Sequence, residues 1–410
     1  MYIKELRVRN FRSHRDTTVQ LFPITVFVGH GGSGKSNFFD ALLNVSLVLR
    51  KWVGEAFSSF PSGTFSATKS WRAHPIDPIG FVMTVCPKTA GDPPYVYEFT
   101  YNQIPGAFVG QPSFQILKEV ITTEGKVIFD RADLGQFQAV VGQQIQYDRS
   151  LLASLRYALF NNEQHGCAPE LEDLARTVSH VGKYRLEPFL LSRPSNLPIG
   201  SEASSAGGGM WLDYRGENLA AVLYELSETD SGELTKITDS IKEVFPEFDG
   251  FRFNFVGEGR VGFSIRYTHH QEPVVASALS DGMLLFIGLM TLLHMPTRPD
   301  IIALEEPENG LDAQAIRAFY RKLVEVASGE TDKLEKQILL SSHSPYVLCE
   351  AWNGPSRAYI YHVTEHGGES QVASVEAVMR TFAGTLRGDG TMSIRLAERI
   401  MSERWQPDPA

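Results

Sequence analysis

The sequence predicts an α/β protein with a mixed or parallel sheet core, an inserted antiparallel β subdomain and a helical subdomain. Three observations carry that expectation. Ile24-Thr25-Val26-Phe27-Val28 is apolar and mostly β-branched, as in a strand buried on both faces, and a glycine-rich loop and a helical pattern follow it directly. Between residues 51 and 135 the composition changes to Pro, Gly, Ser and aromatic residues around short alternating runs, the pattern of antiparallel strands joined by turns. From residue 280 onward apolar strand runs alternate with helical periodicities, which implies parallel strands with covered faces.

In order, Ile3, Leu6 and Val8 alternate with polar residues and predict a strand that runs into Asn10-Phe11-Arg12-Ser13-His14. Thr18 to Leu21 predicts a second strand and Ile24 to Val28 a third. Phe38, Phe39, Leu42, Leu43, Val45 and Leu49 recur at helical spacing, so a helix is expected from Ser36 to about Arg50. Strands are expected at Gly80 to Cys86, Tyr95 to Tyr101 and Gln115 to Thr122, and helices return between Gln136 and His180. Pro194 to Gly209 reads as a loop whose Ser/Ala/Gly run from 201 to 209 predicts mobility. Leu212 to Ser227 and Gly232 to Val244 read as helices, and Phe251 to Val256 with Val261 to Tyr267 as a hairpin. The last part reads as a helix from near Ser280, strand Ile301 to Leu304, helix Ala313 to Ala327, strand Gln337 to Ser341 and strand Ala358 to Val363. The expected division is thus 1–50 and 280–410 as two parts of one core, 51–135 as a β-rich insertion, and 136–279 as a helical lobe with a flexible loop near 195–209 and a hairpin near 251–267. No heptad run is long enough to form a coiled-coil arm.

Composition narrows the function. With 38 Lys and Arg against 48 Asp and Glu in 410 residues, the formal charge is −10, which argues against a mainly electrostatic grip on nucleic acid. Cys86, Cys167 and Cys349 are scattered, without a CxxC pair or nearby His cluster, so neither a disulfide framework nor a zinc site is suggested and a reducing cytoplasm is expected. Charges interrupt the apolar residues of Met1 to Arg7, unlike a secretory signal. The apolar run Met283 to Leu293 falls short of the roughly 18 residues that span a bilayer and reads as a buried helix. No membrane association is expected.

The chemistry concentrates in a few segments. Gly29-His30-Gly31-Gly32-Ser33-Gly34-Lys35-Ser36 matches G-x-x-x-x-G-K-[ST] between an apolar strand and a helix. Glycines let successive backbone N–H groups curl around phosphate oxygens, Lys35 can reach the β- and γ-phosphates, and the Ser36 hydroxyl can ligate Mg²⁺; a nucleoside triphosphate is the expected ligand. Ile301-Ile302-Ala303-Leu304-Glu305-Glu306-Pro307-Glu308 is an apolar strand ending in acids, from which Glu305 is assigned to Mg²⁺ and Glu306 to the attacking water. Leu279-Ser280-Asp281-Gly282-Met283 opens the long apolar helix with a hydroxyl and backbone amides, an arrangement suited to phosphate. Ser341-Ser342-His343-Ser344-Pro345 follows another apolar strand, where His343 could bond the γ-phosphate or the water. His269, His270 and His294 have no partner motif and receive no role.

In this order the loop at 29–36, LSDGM, IIALEEPE, Gly310-Leu311-Asp312 and SSHSP resemble the Walker A, signature, Walker B, D-loop and His switch of an ABC-type ATPase head. Leu6-Arg7-Val8-Arg9-Asn10-Phe11-Arg12-Ser13 is similar to the first strand of the SMC/RecF/OLD branch, in which residues after Asn-Phe approach the nucleotide; Arg12 and Ser13 join the nucleotide contacts on that resemblance, and Asn37 is counted with the Walker A residues that it follows. The chain also resembles the stand-alone bacterial AAA-family predicted ATPases, through Tyr184-Arg185-Leu186-Glu187-Pro188, Arg193-Pro194-Ser195, Gly216-Glu217-Asn218-Leu219-Ala220-Ala221-Val222-Leu223 and Glu305-Glu306-Pro307-Glu308-Asn309-Gly310-Leu311. It departs from them in two places: Asp312-Ala313 stands where many relatives have His-Pro, and Glu305 stands where transport ATPases usually carry Asp. The Q-loop glutamine stays open among Gln136, Gln138, Gln143 and Gln144.

The resemblance implies an ATPase using ATP and Mg²⁺, with Glu306, His343 and Lys35 as the catalytic set. It implies an ATP-dependent head-to-tail homodimer in which Ser280, Asp281, Gly282 and Asp312 reach the nucleotide of the other copy. It further implies a separately encoded effector partner and a role in antiphage defence. The competing expectation is a RecF-like ATPase acting on DNA in repair; the acidic balance and missing coiled-coil arms weigh against it. A nuclease of the OLD type would need a further domain after the ATPase, and Thr364 to Ala410 is too short and lacks a DxD pair, so this chain is not expected to cut DNA. A transporter ATPase fits the long insertion and the EEPEN and SSHSP segments less well.

Overall fold

A computed structural model describes residues 1–51, 53, 56, 68–74, 76–89, 91–104, 113–133, 169–197, 211–257, 259–295, 299–328, 336–354, 358–381 and 386–402. The part of the helical stretch expected at 136–180 that precedes residue 169, the Ser/Ala/Gly run and the four candidate Q-loop glutamines lie outside the described residues. The strands are β1 (Tyr2–Phe11), β2 (His14–Gln20), β3 (Ile24–Val28), β4 (Ile79–Cys86), β5 (Tyr95–Ile104), β6 (Ser113–Thr123), β7 (Lys126–Asp130), β8 (Val181–Tyr184), β9 (Ser195–Asn196), β10 (Phe248–Phe255), β11 (Arg260–Tyr267), β12 (Val274–Val275), β13 (Ile301–Glu305), β14 (Gln337–Ser342), β15 (Tyr359–His366) and β16 (Glu369–Ser374). The helices are α1 (Lys35–Val48), α2 (Pro169–Ser179), α3 (Pro188–Leu191), α4 (Leu219–Thr229), α5 (Ser231–Val244), α6 (Asp281–His294), α7 (Ala313–Ser328), α8 (Pro345–Asn353), α9 (Val375–Thr381) and α10 (Ile394–Ser402). They fall into two compact units, one of Met1–Val181, Tyr361–Ala383 and Ile400–Ala410, the other of Gly182–Ile360 and Gly384–Arg399.

In the first unit an antiparallel sheet runs in the order β2-β1-β4-β5-β6-β7. β1 buries Ile3, Leu6, Val8 and Phe11. Its apolar positions skip a beat after Ile3 because the register with β4 shifts between Ile3 and Glu5, a bulge that restores the same facing further on. The inserted strands extend the sheet that β1 and β2 begin. Pairing β4 along the second edge of β1 satisfies a ladder that would otherwise stay open. Phe81 faces Phe99 across the β4–β5 ladder and Met83 faces Tyr97, all fully buried, so the aromatic run of the insertion is the core of this sheet.

β3 belongs to a different layer of the same unit, with β15 beside it and β16 beyond. All five β3 residues are buried. Phe27 touches Phe38 and Phe39 of α1 at ring distances of 5.2 and 5.5 Å and stacks on Tyr361 of β15 at 5.5 Å. β15 and β16 are antiparallel and turn at Gly367-Gly368, both with positive φ, a conformation glycine adopts without a Cβ penalty.

In the second unit β13 and β14 pair in parallel, from Ile301 opposite Gln337 to Glu305 opposite Ser341, and β8 lies on the far side of β13. α6 is buried continuously from Met283 to Leu293, which accounts for its membrane-like composition: it is a core helix. Among the described residues no helix is long and apolar enough to cross a membrane. A second antiparallel sheet orders β10-β11-β12, with β9 on β11. The helix expected from Leu212 begins only at Leu219. Gly216 takes a left-handed turn at φ 82°, and the Asn218 side chain closes it, accepting from the Asp213 N–H at 2.8 Å and donating to the Trp211 carbonyl at 2.6 Å.

Candidate nucleotide site

In the first unit, β3 delivers the chain into the loop 29–34 with φ of 146° at Gly29, 80° at Gly32 and 100° at Gly34. A Cβ at Gly29 would run into the Val363 carbonyl, and one at Gly34 into the hydroxyl of Ser370. Those two glycines are therefore required by the fold behind the loop. Gly31 and Gly32 face open space, where an incoming group could lie against bare backbone. Gly34 caps α1 without any side-chain hydrogen bond, so no side chain supplies an acceptor to the first helical turn. Such a terminus suits an anion. Lys35 is buried and its Nζ donates to the Gly29 and His30 carbonyls, both at 2.8 Å. Ser36 is half-buried in the first turn of α1. The Ser33 hydroxyl is buried with no hydrogen-bond partner among the described residues, an orphan beside the loop that a bound group could satisfy.

Behind the loop runs a chain of hydrogen bonds. Arg12 Nη1 donates to Asn37 Oδ1 at 3.2 Å and pairs with Asp40. Asn37 Nδ2 donates to Ser13 Oγ at 2.7 Å, Ser13 Oγ lies 2.7 Å from Ser370 Oγ, and Ser370 Oγ lies 2.7 Å from the Ser33 carbonyl. Each hydroxyl has one proton, so the consistent assignment passes it along from Ser13 to Ser370 to the Ser33 carbonyl. The Ser370 N–H also donates to the Ser13 carbonyl at 2.8 Å. Arg12 and Ser13, expected at the nucleotide, are thus engaged with α1 and β16. Arg12 holds φ at 48° to do so.

Two histidines reinforce the same region. His14 is fully buried, with Nε2 at 3.1 Å from the Gly34 carbonyl and Nδ1 at 3.1 Å from Thr17 Oγ1. A carbonyl only accepts, so Nε2 carries the proton. Burial lowers the His14 pKa to about 4, against the smaller opposing effect of the Gly34 hydrogen bond. His362 on β15 is also fully buried, and neither ring nitrogen has a partner among the described residues. Burial, then His30 and Lys35, lower its pKa to about 4.

In the second unit the acidic segment follows β13. Glu305 is buried, with Oε1 at 3.1 Å from Lys183 Nζ of β8 and Oε2 accepting from the Tyr214 hydroxyl at 2.9 Å. Glu306 adopts φ of 45°, rare for a non-glycine residue, while its N–H donates to the Ser341 carbonyl at 2.9 Å. That twist turns its carboxylate toward three donors: His343 Nδ1 at 3.5 Å, Arg185 Nη2 at 3.5 Å and Asn309 Nδ2 at 3.1 Å. Glu308 is buried and accepts from Ser342 Oγ at 2.6 Å and the His343 N–H at 3.2 Å, so it fixes the turn that presents His343. Burial raises its pKa, and those two hydrogen bonds only partly offset the effect.

Ser280 caps α6, its Oγ accepting from the Met283 N–H at 3.4 Å, and Asp312 caps α7, its Oδ1 accepting from the Ala315 N–H at 2.8 Å. The two turns meet, since a Cβ on Gly282 would lie 2.7 Å from the Gly310 carbonyl. Ser280, Asp281 and Asp312 are exposed.

The first unit therefore gathers residues 29–37 with Arg12 and Ser13. The second gathers Glu305, Glu306 and His343, and sets Ser280 to Gly282 beside the Gly310–Asp312 turn. Sequence reasoning assigned no role to Ser370, His14, His362, Lys183 or Tyr214. Only Arg185 and Glu308 lay inside quoted motifs. The Ser36 hydroxyl and the Glu305 carboxylate are hard oxygen donors of the kind Mg²⁺ takes, and a carboxylate with one partner on each oxygen keeps free lone pairs, so both fit that ion. Among the described residues no group of three or more His, Cys, Asp or Glu forms a metal cage.

Residues 197–349 match a family model described as "AAA domain, putative AbiEii toxin, Type IV TA system", and residues 1–52 match one described as "AAA ATPase domain". A 44-residue stretch, 10% of this chain, is 48% identical to the DNA double-strand break repair Rad50 ATPase of Sulfolobus acidocaldarius; it spans only 5% of that protein. Among solved structures, an SMC head bound to the C-winged helix domain of ScpA is similar over 93% of this chain and 100% of its own, at a TM-score of 0.54 and 13% identity. The shared property at that distance is the fold.

Proposed function

We propose that this chain, an AAA-family ATPase of the ABC-type, SMC- and RecF-like class, is a cytoplasmic ATP-hydrolysing switch whose two copies close on ATP and control a partner protein. In this reading the ATPase core comprises 1–50 and 280–410. The backbone of 29–34 cradles the phosphates, and Lys35 turns from the Gly29 and His30 carbonyls toward the β- and γ-phosphates. Ser36 and Glu305 would hold Mg²⁺, which when bound neutralises charge on the phosphate oxygens. Glu306 takes a proton from the water that attacks the γ-phosphorus, the bond to the β–γ bridging oxygen breaks, and ADP and phosphate leave. His343 holds Glu306 and the water in register.

The reading rests above all on the Glu306–His343 pair, an acid in a strained backbone conformation 3.5 Å from an imidazole at the ends of two adjacent parallel strands. A position that costs conformational energy is kept where geometry matters. Ser280, Asp281, Gly282 and Asp312 are proposed to contact the nucleotide of the second copy. ATP then supplies the contacts that favour the closed homodimer, and hydrolysis removes them. The match of 197–349 to a model described in toxin–antitoxin terms supports an effector partner and a defence role.

The test compares two variants by phosphate release and light scattering. Lys35→Ala loses nucleotide binding. Glu306→Gln binds ATP, releases no phosphate and accumulates as a dimer. Parental turnover by Glu306→Gln would remove Glu306 as the base, and a Glu306→Gln protein that stays monomeric with ATP bound would remove the dimer.

A further inference from the structure

We propose that Trp71 is the platform on which the purine base of the loop-bound nucleotide stacks; the proposal rests on the nucleotide reading above. Trp71 is 70% exposed, whereas the other strongly exposed large apolar side chains described in the same unit, Ile76, Leu117 and Val127, are aliphatic. An indole left in water gains nothing from burial. Its orientation is nevertheless fixed. Trp71 Nε1 lies 3.4 Å from the Gly368 carbonyl, and a Cβ on Gly368 would collide with the indole, so the Gly367-Gly368 turn is shaped to receive it. The Arg72 guanidinium sits over the ring, 4.9 Å from its centroid, and is held by Glu369 at 3.2 Å. An exposed aromatic ring with a cation over it and a rigid mount is a preorganised stacking surface.

Two separate ties place it beside the phosphate loop. Gly368 precedes Ser370 by two residues, about 7 Å along a strand, and the Ser370 hydroxyl lies 2.7 Å from the Ser33 carbonyl. On the other side, the Arg12 N–H donates to the Thr68 carbonyl at 2.7 Å and the Ser70 N–H to the Asn10 carbonyl at 2.9 Å. The segment entering Trp71 therefore runs along the turn whose Arg12 and Ser13 bond the helix that follows the loop and, at Ser370, the strand behind it. Phosphates gripped at 29–36 leave the nucleoside to extend outward, and among the described residues of this unit the strongly exposed aromatic ring is the indole. Stacking uses the π-face that every purine has, so the class of ligand is a purine nucleoside triphosphate, with adenine and guanine both accepted at this contact.

The experiment titrates the full chain by calorimetry with ATP and with inorganic tripolyphosphate, each with Mg²⁺. Trp71→Ala is expected to weaken ATP roughly tenfold, leave tripolyphosphate unchanged, and be largely rescued by Trp71→Phe. Unchanged ATP affinity in Trp71→Ala overturns the platform while the phosphate loop stands. So does an equal loss for ATP and tripolyphosphate, which would make Trp71 a support for the loop. Where tripolyphosphate binds too weakly to measure, the phenylalanine rescue decides. Lys35→Ala separates the two readings, since it should abolish both ligands; a parent protein that binds neither overturns the nucleotide reading and the platform together.

Discussion

Lys183 Nζ lies 3.1 Å from Glu305 Oε1, and both side chains are almost wholly buried. The lysine comes from β8 and the acid from the end of neighbouring β13, while Tyr214 closes the other carboxylate oxygen. A buried ion pair of this kind adds little net stability, because desolvating two charges offsets most of their attraction; removing one partner is costly. Any cation that uses Glu305 must share it with Lys183.

Breaking that pair from one side should therefore be worse than removing it. Lys183→Met is expected to lower unfolding free energy by about 3–5 kcal/mol in urea denaturation, and Lys183→Met with Glu305→Gln to recover most of that loss. Strict additivity of the two single changes would show that the pair carries no coupling.

The hydrogen-bond chain behind the loop predicts cooperative losses. Ser370→Ala should cost about 1 kcal/mol of stability and also weaken ATP, although Ser370 is on β16 and belongs to no nucleotide motif. Ser13→Ala should cost a similar amount, and the double variant clearly less than the sum, because both interrupt one chain. Independent losses in a double-mutant cycle would mean the bonds act separately.

His14 and His362 set an acid limit. Both have pKa values lowered from 6.5 to about 4, so above 6.5 they are neutral in folded and unfolded chain alike and carry no penalty. As pH falls from 6.5 toward 4 the unfolded chain takes up protons that the folded one refuses, and stability declines by roughly 3 kcal/mol per histidine at most. His362→Leu removes a polar ring with no partner among the described residues; it should hold or raise stability at pH 7 and flatten the acid slope. An unchanged slope in chemical denaturation between pH 7 and pH 4 would rule out His362 as a contributor.

Glu308 has the opposite sign. Its pKa is raised by burial, so its contribution is fully present below the ordinary carboxylate pKa and declines as pH rises through the elevated one. Glu308→Gln keeps an oxygen for Ser342 and the His343 N–H, and should be at least as stable as the parent at pH 7, with the advantage shrinking at pH 4. A variant equally destabilised at both pH values would mean that the second carboxylate oxygen matters more than the charge.

Much of this was legible because the sequence repeats its own geometry. The strand–loop–helix at 24–48 could be read from β-branched residues, glycines at left-handed positions and helical spacing, and Glu305 and Glu306 from their place at the end of an apolar strand. β16 was not. Glu-Ser-Gln-Val-Ala-Ser carries no apolar alternation, and it is a strand because β15 offers it an edge. Lys183 likewise reads as one charge in a short strand, and only the β8–β13 neighbourhood makes it the partner of Glu305. Spacing reports local geometry, whereas these roles depend on contacts between distant segments. The exposed Trp71 escaped for the same reason, since the Gly367-Gly368 turn that mounts it lies far along the chain.

Gly29 rests against Val363 and the Ser33 carbonyl against Ser370, so the glycine-rich turn is buttressed by residues made more than three hundred positions later. During translation that turn stays without its support until the β15–β16 hairpin has left the ribosome. A nascent polypeptide halted before Ser370 would carry every glycine of the motif and still lack the two contacts that hold the turn in shape.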